Sequence, residues 1–211
     1  NANHKILQFI NSKGLGADCV SGNEVKACIE ARFPSNKIVF AGVGKTDKEI
    51  NYALDQNIFC FNVESKQELE IINELAAAKA KKANVAIRVN PNVDAHTHAK
   101  ITTGLNENKF GINLEMLPET IEFIKKLKNI ELIGLHFHIG SQITDLSAFE
   151  NLCVRINELQ DELETKGTCV KNINIGGGLG INYEHPNHMP VADFESYFRV
   201  FNKHLKLRPG Q

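Results

Sequence analysis

His136 and His138 stand two residues apart in the stretch Ile130–Gln142, IELIGLHFHIGSQ, and Gly140 and Ser141 follow at once. A histidine ring can stack on a flat ligand, carry a proton near neutral pH or ligate a metal. A serine hydroxyl next to a glycine can bind an anion. A second group of the same kind lies further on, at Gly176-Gly177-Gly178-Leu179-Gly180. Consecutive glycines let backbone N–H groups converge without Cβ obstruction, which makes an anion-binding nest; a flexible turn between strand and helix uses the same residues. Asp18 and Arg88 are charges inside otherwise apolar runs, LGADCV and VAIRV. Such charges need a partner or a ligand, unless an edge strand exposes them.

Three familiar chemistries fit these residues poorly. A dinucleotide fingerprint needs glycine at the sixth position from Gly176, where Ile181 stands. Gly42-Val43-Gly44-Lys45-Thr46 resembles the end of a P-loop, but Val39 occupies the place of its first glycine. Thr46 is better read as a helix cap, with Lys45 on the rim. The His136/His138 pair resembles the zinc-binding pair of barrel hydrolases. His96 and His98 in a long loop, and His185 and His188 past the glycine turn, could add ligands. None of these four stands at a strand end. An anion nest, a hydroxyl, an aromatic face at His138, an arginine and an aspartate suit a planar, phosphorylated cofactor better than a metal.

What positions these groups is a repeating strand–helix pattern. A short apolar run stopped by a turn is the pattern of a strand buried on both faces. Alternation on the 130–142 run puts His136 and His138 on one side. Leu15–Val20, Lys37–Ala41 and Ile58–Val63 are further strands, and each is followed by Ser/Thr-x-x-Glu: Ser21/Glu24, Thr46/Glu49 and Ser65/Glu68. That spacing is a capping box, so a helix is expected after each, the third running through Lys82. Val85–Val89 is a fourth strand. Residues 92–113 lack periodicity and read as a long rim loop, which in a compact domain is usually functional. Pro118–Leu127 and Thr144–Thr165 are helices, the second ended by Gly167. Val170–Ile175 is a strand leading into the glycines, and a last helix starts near Val191–Asp193. About six strands are expected where a closed barrel has eight. The fold is therefore α/β: an open doubly wound sheet, or a (β/α)8 TIM-type barrel present as about six βα units. In both, ligands sit at the C-terminal ends of the strands.

Composition removes other classes. At 211 residues and 42% hydrophobic the chain can bury a substantial core, and a net charge of −1 without a basic stripe argues against nucleic acid. Five dispersed cysteines without Cys-x-x-Cys fit a reducing cytoplasm rather than a disulfide framework. No apolar run approaches the roughly 20 residues of a membrane helix.

With these residues in view, the chain resembles the barrel-fold, pyridoxal-phosphate-dependent basic amino-acid decarboxylases. GADCVSGNE, FAGVGKTDKEI, NVES, IRVNP, KITTG with NKFGI, GLHFHIGSQI and NIGGGLGINY carry the resemblance, in order, over nearly the whole chain. GLHFHIGSQI and KITTG…KFGI resemble the branch acting on meso-diaminopimelate. The resemblance implies pyridoxal 5'-phosphate as cofactor and the last step of lysine biosynthesis, loss of CO2 to give L-lysine, in a cytoplasmic homodimer. It implies that His138 stacks on the pyridine ring. Ser141 and the N–H groups of Gly176, Gly177 and Gly178 would hold the phosphate, with Asp18 and Arg88 lining the reactive edge.

In that family the lysine that carries the cofactor lies in a YA-x-KAN stretch, and this chain opens at Asn1-Ala2-Asn3. An acidic partner of the pyridine nitrogen lies in an EPGR-like stretch, and this chain stops at Arg208-Pro209-Gly210-Gln211. Residues 1–211 are thus expected to be one cofactor-binding barrel domain, incomplete at both ends, without a C-terminal β-domain and inactive alone. The alternatives are a metal-dependent barrel hydrolase using His136 and His138, a decarboxylase of ornithine, arginine or lysine, and a barrel that carries the cofactor without turnover.

Overall fold

In chain order the computed structural model has α1 (His4–Ser12), β1 (Ala17–Cys19), α2 (Gly22–Glu30), β2 (Ile38–Phe40), α3 (Asp47–Gln56), β3 (Cys60–Val63), α4 (Lys66–Ala78) and β4 (Ala83–Asn90). Then come β5 (Ile112–Asn113), α5 (Leu117–Ile124), β6 (Ile130–His136), α6 (Ser147–Thr165), β7 (Asn172–Asn174) and α7 (Phe194–His204). The structure describes residues 3–92, 110–183 and 192–211. Two compact units emerge: Asn1–Arg88 with Glu115–Gly134, and Val89–Leu114 with Leu135–Gln211.

In the first unit β1, β2, β3 and β4 pair in parallel and in sequence order, with β6 next to β4. Parallel strands joined by helices in this way are a partial (β/α) barrel, the class expected from the sequence. Each expected cap is present: Ser21, Thr46 and Ser65 accept from the amides of Glu24, Glu49 and Glu68. The carboxylate half holds as expected only at α3, where Glu49 Oε2 accepts from Thr46 N at 3.0 Å. Glu24 and Glu68 reach one residue further back, to the amides of Val20 and Glu64, each at 2.7 Å. They thereby tie the strand ends to the helices that follow. Phe40 and Phe61 (ring centroids 6.1 Å apart) sit in a core with Ile38, Ile50, Leu69, Ile72 and Ile87, all fully buried. Each such side chain contributes about 1.5–3 kcal/mol.

In the second unit α6 packs on α7 through Phe149, Tyr197 and Phe201, with edge-on rings 5.0–5.9 Å apart. Gly167, at φ 72, ends α6 as expected. Its own N–H and that of Thr168 cap the carbonyls of Glu164 and Leu163 at 2.9 Å.

Some boundaries differ from expectation. α1 falls where the strand–helix series assigns nothing. β5, two residues beside β4, lies in the stretch read as loop, most of which is outside the described residues. β6 stops at His136, so His138 stands beyond the strand rather than on it. α4 ends at Ala78 instead of Lys82, because Ala80 turns left-handed at φ 52. Among the described residues no helix is long and apolar enough to cross a membrane, and all five cysteines are free.

Candidate functional site

In the second unit the segments leaving β6 and β7 run side by side. Phe137 N donates to Asn174 O at 2.8 Å, Ile143 N to Gly178 O at 2.8 Å, and Gly180 N to Ile143 O at 2.8 Å. Gln142, left-handed at φ 59, closes the pairing with its side chain. Its Nε2 donates to Ile181 O (3.0 Å), and its Oε1 accepts from Ile181 N (3.2 Å). The loops carrying HIGSQ and GGGLG are therefore one hydrogen-bonded piece.

That closeness explains the glycines. At Gly176 (φ 72) a Cβ would run into the Phe137 carbonyl and lie 3.1 Å from His138 Nδ1. At Gly178 (φ 108) it would run into the Gly140 carbonyl. Either side chain would also have to adopt a left-handed backbone that L residues avoid. Gly176 N donates to Asn174 Oδ1 at 2.8 Å, so this amide is occupied and the residue serves close packing against His138. Among the described residues nothing engages the amides of Gly177 and Gly178 or the exposed hydroxyl of Ser141. His138 is half-buried beside them, whereas His136 is buried at the end of β6. The arrangement offers two amides and a hydroxyl to an anion, with an imidazole alongside.

In the first unit Arg88, on β4, donates from Nη1 to Glu64 Oε1 at 2.8 Å, with side-chain exposures of 16% and 7%. Glu64 follows β3, and its N–H is held by Glu68 Oε2. The other oxygen of Glu68 accepts from Lys45 Nζ at 2.6 Å. Lys45 also donates to the carbonyls of Gly42 (2.8 Å) and Asn62 (2.7 Å). Its side chain is 1% exposed, so it points inward rather than standing on the rim. The inner position follows from saturation: three oxygens surround one ammonium, and the Phe40 ring lies 5.5 Å from it. Burial raises the Glu68 pKa, with the Lys45 ammonium acting against that. Glu49 is the opposite case: the amides of Gly22 and Thr46 hold its carboxyl below the ordinary range. Asp18 is exposed in the middle of β1.

Sequence reading named His138, Ser141 and Gly176–Gly178, and the structure brings their two loops together in one unit. It named Arg88, and it gave Glu68 only as the carboxylate of the Ser65 box, not as the partner of Lys45. Glu64, Gln142 and Asn174 were missed and have no sequence signal. The buried thiols of Cys60 and Cys153 offer no ready nucleophile, since burial pushes Cys60 up to about 12 and Cys153 up to about 11. Among the described residues no group of three or more His, Cys, Asp and Glu side chains could hold a metal. His96, His98, His185 and His188 lie outside the described residues, as does most of KITTG…NKFGI.

A family profile described as "Pyridoxal-dependent decarboxylase, pyridoxal binding domain" matches residues 1–210. A diaminopimelate decarboxylase of Bacteroides thetaiotaomicron is 61% identical over 211 residues, covering all of this chain and 55% of that protein. One of Aquifex aeolicus is 44% identical over 216 residues, covering all of this chain and 51% of that protein. A crystal structure of the diaminopimelate decarboxylase from M. jannaschii in complex with L-lysine superposes with a TM-score of 0.84 at 37% identity, covering 98% of this chain and 49% of that one. The chain spans about half the length of the curated relatives it matches.

Proposed function

The chain belongs to the pyridoxal binding domain family of the pyridoxal-dependent decarboxylases, and from that premise we propose that it serves the decarboxylation of meso-diaminopimelate to L-lysine and CO2 with pyridoxal 5'-phosphate as cofactor. The observation that carries this reading is the cradle in the second unit. There Gly178 passes so close to Gly140 that a Cβ is excluded, while the amides of Gly177 and Gly178 are engaged by no described residue. A phosphate dianion matches such a nest, because amide dipoles fixed in place attract it without reorganisation. The donor set therefore fits the cofactor.

When bound, the cofactor supplies an electron sink for the pair left behind as CO2 departs. The residues of the chain bind and orient. Gly177 and Gly178 donate N–H groups, and Ser141 its hydroxyl, to the phosphate. His138, packed against Gly176, presents its ring face to the pyridine. The family resemblance assigns Arg88, which Glu64 holds, and Asp18 to the reactive edge, where their opposite charges would meet the cofactor's polar substituents. Identity of 61% and 44% to diaminopimelate decarboxylases supports the choice of substrate. The five free cysteines support a reducing, cytoplasmic setting, and the family resemblance supports a homodimer with shared sites.

The test uses the intact gene product carrying this chain, loaded with pyridoxal phosphate and offered meso-diaminopimelate, ornithine, arginine and lysine separately. One lysine per CO2 from meso-diaminopimelate, with far slower release from the others, is expected. Preference for one of the other three would overturn the substrate, and no CO2 from any would overturn the reaction. His138→Ala should weaken cofactor binding and slow release; an unchanged affinity and rate would remove its assigned role.

A further inference from the structure

We infer that Asn174 is a positioning residue for the cradle: by holding the Gly176 amide, its side chain presets the Gly177 and Gly178 amides for an anion and so favours the phosphorylated form of the cofactor. This rests on the reading that the cradle takes the cofactor's phosphate. Asn174 is the last residue of β7, and it lies in the second unit together with the loop it holds. Its Oδ1 accepts the Gly176 N–H at 2.8 Å, a turn in which a side chain takes the place of a backbone carbonyl. The bond folds that peptide group back onto the strand end. The backbone carbonyl of Asn174 accepts from Phe137 N at 2.8 Å, so the residue before His138 is pinned to the same point.

Three consecutive glycines have the widest choice of backbone and the largest entropy to lose on ordering. Here the run is tied at both ends. Asn174 holds its entrance. At its exit Gly178 O accepts from Ile143 N, and Gly180 N donates to Ile143 O, each at 2.8 Å. Gly176 has a single seat, since a Cβ there would run into the Phe137 carbonyl and lie 3.1 Å from His138 Nδ1. Between the ties Gly177 is unconfined: a Cβ on it would meet nothing within 4 Å. The direction of its amide is therefore set by how its neighbours are held. Donors fixed before the ligand arrives bind it more tightly, because the cost of ordering the loop does not fall on binding. Removing the Asn174 side chain releases the first tie, while the second, made by backbone atoms alone, survives. Asn174 touches neither substrate nor cofactor in this scheme. It acts through the glycines.

The experiment compares wild type, Asn174→Ala, Asn174→Ser and Gly178→Ala of the intact gene product. The probes are pyridoxal phosphate and pyridoxal, which differ only in the phosphate group. The readouts are the ratio of their dissociation constants by absorbance titration, and amide hydrogen exchange at Gly176 without either probe. Asn174→Ala should lower the preference for the phosphorylated probe about 2- to 12-fold, the worth of one hydrogen bond. It should also speed exchange at Gly176 and leave the affinity for pyridoxal unmoved. Asn174→Ser, whose hydroxyl makes the same turn more weakly, should fall between wild type and Asn174→Ala in both readouts. If the alanine variant does not fold, the serine variant carries the same comparison. Equal losses with the two probes would overturn the inference, reducing Asn174 to a structural residue. A preference lowered by Gly178→Ala but untouched at Asn174 would overturn the inference and leave the cradle standing. A preference untouched by Gly178→Ala would overturn the cradle, and the inference with it.

Discussion

Gly178→Ala puts the cradle under direct strain. Two costs can be worked from the structure. At φ 108 an alanine sits in a backbone region L residues rarely adopt, at about 1–3 kcal/mol. Its Cβ would also overlap the Gly140 carbonyl, so the two loops must separate. That would stretch the bond from Ile143 N to Gly178 O, now 2.8 Å, whose loss costs about 0.5–1.5 kcal/mol. The sum is about 1.5–4.5 kcal/mol. If the phosphate binds only to the closed cradle, this becomes about 10- to 2,000-fold weaker cofactor binding. The assay is an absorbance titration with pyridoxal phosphate at constant ionic strength, beside thermal unfolding without cofactor. Gly14→Ala is the control: Gly14 is also left-handed, at φ 76, but a Cβ there meets nothing within 4 Å. It should lower stability slightly and leave cofactor affinity alone. Wild-type affinity in Gly178→Ala, or equal losses in both variants, would refute the cradle.

Three further perturbations follow from the polar network. Lys45→Met leaves the Glu68 carboxylate buried without its cation, a loss of about 3–5 kcal/mol near neutral pH, read by chemical denaturation. The folded-state pKa of Glu68 is already raised from 4.5 and rises further without Lys45. The penalty therefore appears as pH climbs through that folded value and shrinks on acidification; the same loss at about pH 5 and about pH 8 would contradict this. Glu49→Gln tests the opposite sign. Its folded pKa lies below 4.5, held there first by the Gly22 amide and then by Thr46. Its contribution is present above the unfolded value and fades as pH falls through the folded one. The stability gap between wild type and Glu49→Gln should thus close below about pH 4.5, and a gap that persists there would count against the linkage. Gln142→Asn tolerates the left-handed φ of 59 but is too short for both bonds to Ile181. At about 0.5–1.5 kcal/mol per bond it should loosen the paired loops and weaken cofactor binding several-fold, whereas unchanged affinity would show that the pairing does not support the cradle.

Much of this was legible in the residues because the signals are local. Ser21, Thr46 and Ser65 announce helix starts, since a hydroxyl at that position satisfies an amide three residues on whatever the surroundings. The glycines at 176–180 announce a place where backbone approaches backbone, and Gly178 against Gly140 is that place. What escaped depends on pairing across the fold. Lys45 reads as a rim lysine until Gly42, Asn62 and Glu68 are seen to surround it. Glu64 reads as one more acid after an apolar run until Arg88 is found beside it. Gly176 reads as an anion donor until Asn174 takes its amide. The end of β6 at His136 was also hidden, because the apolar run continues through Phe137 and Ile139 while the pairing passes to Asn174 and the glycine loop.

The measurement that bears most directly on the account is a crystal structure of the intact gene product with pyridoxal phosphate bound. The account predicts phosphate oxygens within about 3.2 Å of the Gly177 and Gly178 nitrogens and the Ser141 hydroxyl, with the His138 ring stacked on the pyridine and the Gly176 amide still held by Asn174. A phosphate bound elsewhere on the protein, leaving those two amides to water, would contradict it.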